Sequence, residues 1–198
     1  MEKESYHHGA LREALIEKGI ELIREEGVEK FSLRKVANLC GVSHTAPYKH
    51  FKNKEELIDD ITTYVLEDFG EEIRVVAQQN PGENCLLEIG KHYVTYMLEH
   101  KDYFYFMFQS TIKPKVAIKG DEVIYDKINP YGVFDEVASK FLAEQYPDKA
   151  QRNLLVVSLW SMVHGIAHLL ISGILETDEA YEILTEKILT VICLPEKA

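Results

Sequence analysis

Residues 32–54 read Ser-Leu-Arg-Lys-Val-Ala-Asn-Leu-Cys-Gly-Val-Ser-His-Thr-Ala-Pro-Tyr-Lys-His-Phe-Lys-Asn-Lys, and the chemistry they can do is binding to a polyanion. Within residues 28–54, Lys30, Arg34, Lys35, Lys49, Lys52 and Lys54 are opposed by Glu29 alone, a local net charge of +5 in a chain whose formal net charge is −11. Cationic side chains concentrated in one small region of an acidic protein are what phosphate-backbone binding requires. A solvated surface that is basic by chance is the alternative, and the spacing argues against it. Ser32 can cap a short helix on which Leu33, Val36, Ala37 and Cys40 form one apolar stripe. Gly41 supplies the permissive backbone that ends this helix, Val42 fills the elbow, and Ser43 caps a second helix predicted to run to about Phe51. A turn of roughly three to four residues between two short helices is the geometry that lays the second in a DNA major groove.

A second group of residues has a different chemistry. Tyr93, Tyr96, Tyr103, Phe104, Tyr105, Phe106 and Phe108 crowd into one stretch with Met97 and Met107, and Trp160, His164 and His168 follow on a later apolar segment. Aromatic and methionine walls with a few polar tips suit a flat or greasy ligand; the same side chains can equally fill a helical core. His164 and His168 share a helix face at i, i+4, a spacing compatible with a metal, but no acidic or cysteine ligand accompanies them in sequence. They read as core histidines, and neither metal nor cofactor is expected. An enzyme would need a nucleophile–base pair, a metal set or a phosphate-cradling glycine loop, and the sequence offers none of these.

The elements that must position these residues are helices. Leu11 to about Glu26 is amphipathic, with Leu11, Ala14, Leu15, Leu22 and Ile23 inward and Gly27 at its end. Asn53 and Glu56 form a capping box that opens the next helix, which should run to about Asn80, where Asn-Pro-Gly breaks it. Further helices are predicted at about 83–100, 102–110, 130–145, 149–173 and 178–193, and residues 111–128, lacking a clean period, as a loop. No strand signal recurs, so the chain reads as all-α.

Composition sets outer limits. At 198 residues the chain can hold a small module and one larger core. Cys40, Cys85 and Cys193 are odd in number and lack metal-ligand spacing, which fits a reducing cytoplasm, and the polar, acidic N-terminus reads against a signal peptide. Asn153 to Leu175 holds no Lys, Arg, Asp or Glu and is long enough to span a bilayer. However, Ser158, Ser161, Gly165, His168 and Ser172 make one face of small and polar groups, while Leu155, Leu159, Met162, Ile166 and Leu169 make a second, apolar one. A helix with two such faces packs on both sides within a helical protein or dimer, so no membrane is expected.

Phe31 through Leu57, with Gly-Val-Ser-x-x-x-x-Tyr-x-His-Phe-Lys-Asn-Lys-Glu-Glu-Leu at its centre, resembles the DNA-binding domain of TetR-family transcriptional regulators, and the likeness covers about residues 8–57. Leu159-Trp-Ser-Met-Val-His-Gly-Ile-Ala-His-Leu is similar to the Trp…His-Gly segment of one C-terminal subgroup of that family. The resemblance implies a homodimer whose C-terminal helices bind a small effector that releases the DNA, most members being repressors.

Carried over to this sequence, the family pattern sets Ser43, His44, Thr45 and Ala46 at the exposed start of the recognition helix, facing base edges. Ser43 and Thr45 can bond base edges or phosphates, His44 can donate to guanine or phosphate, and Ala46 can meet a thymine methyl. Pro47 stands where many members have an aliphatic residue and costs at most one helical bond, so it alters how deeply the helix sits. Tyr48, His50 and Lys54 match the family's phosphate contacts, with Lys49 beside them in the basic cluster. A cation in the first turn of a helix opposes the macrodipole by about 0.3–1 kcal/mol; a phosphate there, bound jointly by Lys54 and the free amides, removes the conflict. Arg34 corresponds to a position that can reach a base or a phosphate. Ser32 can donate to phosphate or serve as a plain N-cap, and Phe51 is expected in the module's core.

The expectation is therefore an all-α regulator. Residues 1–53 form a helix-turn-helix three-helix module, and residues 54–198 a larger helical effector-binding and dimerisation domain. The boundary lies within the helix after Asn53. Tyr93, Tyr96, Met97, Phe104, Met107, Phe108, Trp160, His164 and His168 are the candidate effector contacts. The partners are double-stranded DNA with a near-palindromic operator, a hydrophobic or aromatic effector, and a second copy joined through the helices at 149–173 and 178–193. Ile183, Leu184, Ile188, Val191 and Ile192 give the second of these an apolar face. Two recognition helices about 34–36 Å apart would match one turn of DNA. A DNA-binding activator or architectural protein without an effector is the alternative.

Overall fold

A computed structural model describes residues 2–109, 115–126 and 129–193. The described chain is helical apart from one hairpin: α1 (Glu2–Glu26), α2 (Leu33–Leu39), α3 (Lys54–Gln79), α4 (Cys85–Glu99), α5 (Lys101–Phe104), β1 (Val116–Lys119), β2 (Glu122–Tyr125), α6 (Pro130–Leu142), α7 (Lys149–Ile171) and α8 (Tyr181–Cys193). It divides into two compact units, residues 1–65 with 102–113 and residues 66–101 with 114–198.

In the first unit, Leu15, Leu22 and Ile23 of α1, Leu33, Val36 and Ala37 of α2, and Leu57, Ile58 and Ile61 of α3 form the core. Phe51 is buried with them, and the Arg12 guanidinium lies 5.7 Å over its ring while pairing with Asp60. Ser32 caps α2 by accepting from the Lys35 amide at 3.3 Å. Gly41 ends the turn at φ +66°, a conformation that costs glycine no steric penalty. Asn53 caps α3 by accepting from the Glu56 amide at 2.8 Å, and the Glu56 carboxylate accepts in return from the Lys52 amide.

The second helix of the motif departs from expectation. Residues 43–51 form a turn followed by a 3-10 segment at Pro47–Lys49 rather than a continuous α-helix. Pro47 has no amide hydrogen to give the Ser43 carbonyl, so the chain tightens to i→i+3 bonds, Ala46 to Ser43 at 2.9 Å and Lys49 to Ala46 at 3.1 Å. The predicted helix at 102–110 also splits, into α5 and a π-turn at Tyr105–Gln109, with Ser110 outside the described residues.

The second unit packs α4 against α7 and α8, and α6 against α7. A Cβ on Gly90 would stand 2.7 Å from Leu189 and 3.3 Å from Val163, so α4, α7 and α8 meet at the closest approach a glycine permits. The ion pair from Lys91 to Glu186 at 2.9 Å ties α4 to α8, and Lys91 also pairs along α4 with Glu88 at 2.7 Å. The face of α7 that enters the core carries Val156, Val163, Ile166, Ala167, Leu170 and Ile171; of the expected apolar face Ile166 is buried, Leu155, Leu159 and Met162 are half-buried and Leu169 is exposed. The core stripe thus shares Ile166 with the expected apolar face and is otherwise rotated from it. By length and composition α7 could cross a membrane, but a third of its most apolar window is buried within the protein.

Residues 111–128 were expected to form a loop. Their described part is an antiparallel hairpin in which Val116 pairs with Tyr125 and Lys119 with Glu122 across Gly120, at φ +60°, and Asp121. Two short β-rich runs around a Gly-Asp pair are the physical cause. Residues 111–114 and 127–128 lie outside the described residues, as does the Ile192 side chain.

Candidate nucleic-acid interface and aromatic cluster

The side chains proposed to read DNA stand on the first unit's outer surface. Ser43, His44 and Thr45 are exposed and Ala46 half-buried, while Tyr48, 60% exposed, takes no part in the core. The Ser43 and Thr45 hydroxyls lie 3.1 Å apart, and the His44 ring meets the Asn38 side-chain oxygen at 2.7 Å, which braces the turn against α2. Arg34 and Lys49 are exposed; His50 is half-buried, its ring 6.3 Å from Phe51. Lys35 pairs with Glu26, so part of the basic charge is neutralised within the unit. Lys54, half-buried at the start of α3, donates to the Val28 carbonyl at 3.0 Å. An exposed cation of no consequence would not be held this way. Among these candidates Ser32 acts as a cap, but its hydroxyl proton remains available to an acceptor.

The aromatic candidates fall in both units. Phe104, Met107 and Phe108 belong to the first, where Phe104 packs on Phe108 at 5.2 Å between ring centroids. Tyr93, Tyr96, Met97, Trp160, His164 and His168 belong to the second. There the Trp160 and His164 rings stack at 5.3 Å, and the Tyr93 hydroxyl meets His164 Nδ1 at 3.2 Å. Burial holds the His164 ring down to about 4, with the charge of His168 acting in the same sense, so the imidazole is neutral near pH 7. Burial also raises the Tyr93 hydroxyl well above its ordinary value, against an opposing hydrogen bond from Trp160. Tyr96 packs on Phe69 and His100 and donates to Asp68 at 2.6 Å, and Met97 is wholly buried. Among the described residues, no three His, Cys, Asp or Glu side chains converge as metal ligands.

Four aromatic neighbours were not among the sequence candidates, the first of them Phe69, 5.5 Å from Tyr93 and 5.2 Å from Tyr96 between ring centroids. Phe134 meets Tyr93 edge-on at 6.2 Å, Tyr131 meets Trp160 edge-on at 5.4 Å, and Tyr125 meets Tyr131 at 5.2 Å. The Asn-Pro-Tyr start of α6 was the available signal: Asn129 caps the helix by accepting from the Tyr131 amide at 2.9 Å, which fixes that ring.

Residues 15–61 match the family described as bacterial regulatory proteins, tetR family, and residues 86–192 match the tetracyclin repressor-like C-terminal domain. The chain belongs to the TetR family of DNA-binding transcriptional regulators. The tetracycline repressor protein class C of Escherichia coli is 40% identical over 55 residues, 28% of this chain and 25% of that protein. The chain thus spans about a quarter of the length of the curated relatives it matches. Among solved structures, a protein with unknown function from Rhodococcus sp. RHA1 aligns over 94% of this chain and 95% of its own, at TM-score 0.71 and 21% identity. AibR in complex with isovaleryl coenzyme A and operator DNA aligns over 93% and 99%, at TM-score 0.63 and 17% identity. Both likenesses are of fold.

Proposed function

We propose that this chain is a homodimeric, cytoplasmic repressor, without enzymatic activity, that leaves a near-palindromic operator when its second unit binds a hydrophobic or aromatic effector. The observation that carries the reading is the exposed turn at residues 43–49, whose polar side chains are excused from the core while Phe51 fills it. Ser43, His44, Thr45 and Ala46 read base edges; Ser32, Arg34, Tyr48, Lys49, His50 and Lys54 hold phosphates. The effector contacts come from the second unit's Tyr93, Trp160 and His164, with Met97 and His168 beside them.

Dimerisation is supported by α7 and α8, which leave Leu154, Leu169, Ile183 and Val191 exposed alongside the small residues Ser158 and Ser161. Large apolar side chains in solvent next to a stripe that permits close helix approach call for a second copy. Repression follows the name of the tetracycline repressor that 55 residues of the chain match at 40% identity.

Selection of bound sites from random duplexes at near-physiological salt tests the reading. A near-palindromic motif is the expected result. Binding without a motif would leave only a non-specific electrostatic interaction and favour an architectural role, and a motif at which the protein raises transcription would make it an activator.

A further inference from the structure

The second unit contains a buried hydroxyl that no described residue pairs with. Tyr131 is wholly buried, and its oxygen is closed to solvent with no hydrogen-bond partner among the described residues. Folded proteins rarely leave such a group unmet unless something else meets it. Its surroundings form an aromatic frame. Trp160 stands edge-on to Tyr131 on one side and stacks on His164, while Tyr125 stands edge-on at the other.

The charges acting on this frame narrow what could enter. Among the described residues, Asp135 is bonded to this frame, accepting from the Tyr125 hydroxyl at 2.9 Å. The neutral His164 supplies no positive charge. An anionic head group placed here would be desolvated beside the like charge of Asp135. A cation would have to share Asp135 with the hydroxyls it already accepts from, Tyr125 at Oδ2 (2.9 Å) and Ser139 at Oδ1 (2.6 Å).

We propose that Tyr131 is the polar anchor of the effector site, and that the effector is an uncharged, flat molecule presenting a hydrogen-bond acceptor to the Tyr131 hydroxyl. The inference rests on the reading that the second unit binds an effector, and it names that effector's class. The bond is made only with ligand present, so it adds to affinity and to discrimination between classes while contributing nothing to the free protein.

The chain's single tryptophan, Trp160, belongs to the frame, so its emission reports on this site alone. The test is a titration of the full-length protein, read by Trp160 emission and by calorimetry, with four probes of one ring system: 2-acetylnaphthalene, 2-ethylnaphthalene, naphthalene-2-carboxylate and naphthalen-2-ylmethylammonium. The ketone should bind about tenfold or more tighter than the other three. Tyr131→Phe should remove that advantage, leave the ethyl compound's affinity and DNA binding unchanged, and hold or raise the melting temperature of the free protein, since it deletes an unpaired buried group. A carboxylate or ammonium probe binding as tightly as the ketone, or a ketone advantage that survives in Tyr131→Phe, would overturn the inference and leave the effector reading standing. No binding by any of the four, with no change in Trp160 emission, would overturn the effector site itself.

Discussion

Lys54 Nζ donates to the Val28 carbonyl at 3.0 Å, so the cation at the start of α3 is tethered to the short 3-10 turn between α1 and α2. The tether uses one of three ammonium protons and leaves two for a phosphate. Lys54→Ala should weaken binding to every DNA sequence alike and lower the salt slope by about one. It should also cost the first unit about 1 kcal/mol for the lost bond. Anisotropy titrations at several salt concentrations measure the first effect and urea unfolding the second; an unchanged slope would assign Lys54 to structure alone.

His44 lies on the exposed turn with its ring at 2.7 Å from the Asn38 oxygen. If one ring nitrogen is held by Asn38, the other is aimed outward at a fixed angle. His44→Ala should therefore change which sites are selected from random DNA while leaving the salt slope nearly as it was. An identical selected-site profile would refute a base-reading role.

Ile183 and Val191 stand on the outer face of α8, 52% and 80% exposed, while Thr185 and Leu189 fill the inner face. Ile183→Glu with Val191→Glu should leave the fold intact and yield a monomer by light scattering. Operator affinity should fall about 100-fold or more, because two half-sites are no longer engaged together. A dimer that survives the double substitution would move the interface elsewhere.

The neutral His164 gives stability a pH dependence of definite sign. Its folded pKa, about 4, lies below the ordinary value of 6.5. As pH falls through that interval the unfolded chain takes up a proton that the folded chain refuses, so stability present above pH 6.5 is lost toward pH 4, by up to about 3 kcal/mol. Carboxylates titrate in the same range, so the quantity to measure is the difference between wild type and His164→Gln in urea unfolding at pH 7, 6 and 5. Wild type should lose stability faster than the variant. Parallel curves would mean the ring is solvated and carries no such penalty.

How much of this was legible in the sequence divides along the range of the interactions. The Ser32 and Asn53 caps and the Gly41 turn are decided within four residues, and they stand where they were read. Pro47 was recognised as costing one bond, but its consequence depends on the whole segment. Without the amide donor to Ser43 the turn closes at i→i+3, and an α-helix does not follow. The hairpin was also local, yet its alternation was hidden because Val116, Ile118, Val123 and Ile124 place apolar groups on both of its faces. Tyr131 was out of reach for another reason. An isolated Asn-Pro-Tyr says where a helix begins, whereas the contact with Trp160 depends on how α6 packs on α7. Aromatic content alone does not separate a frame from a filled core; what the structure adds is the Tyr131 hydroxyl, buried and unpaired among the described residues.

The separation of duties around residues 43–51 bears on how such a protein diversifies. Phe51, Leu57, Val36 and Ala37 carry the stability of the first unit, while Ser43, His44 and Thr45 contribute nothing to its interior. Pro47 fixes its own φ covalently, so this part of the turn is set whichever side chains precede it. A duplicated copy can therefore exchange those three residues and acquire a new genomic address without renegotiating its fold. Copies that diverge in this way keep the same chassis, and with it the hazard of pairing with one another until the surfaces of α7 and α8 have drifted apart as well.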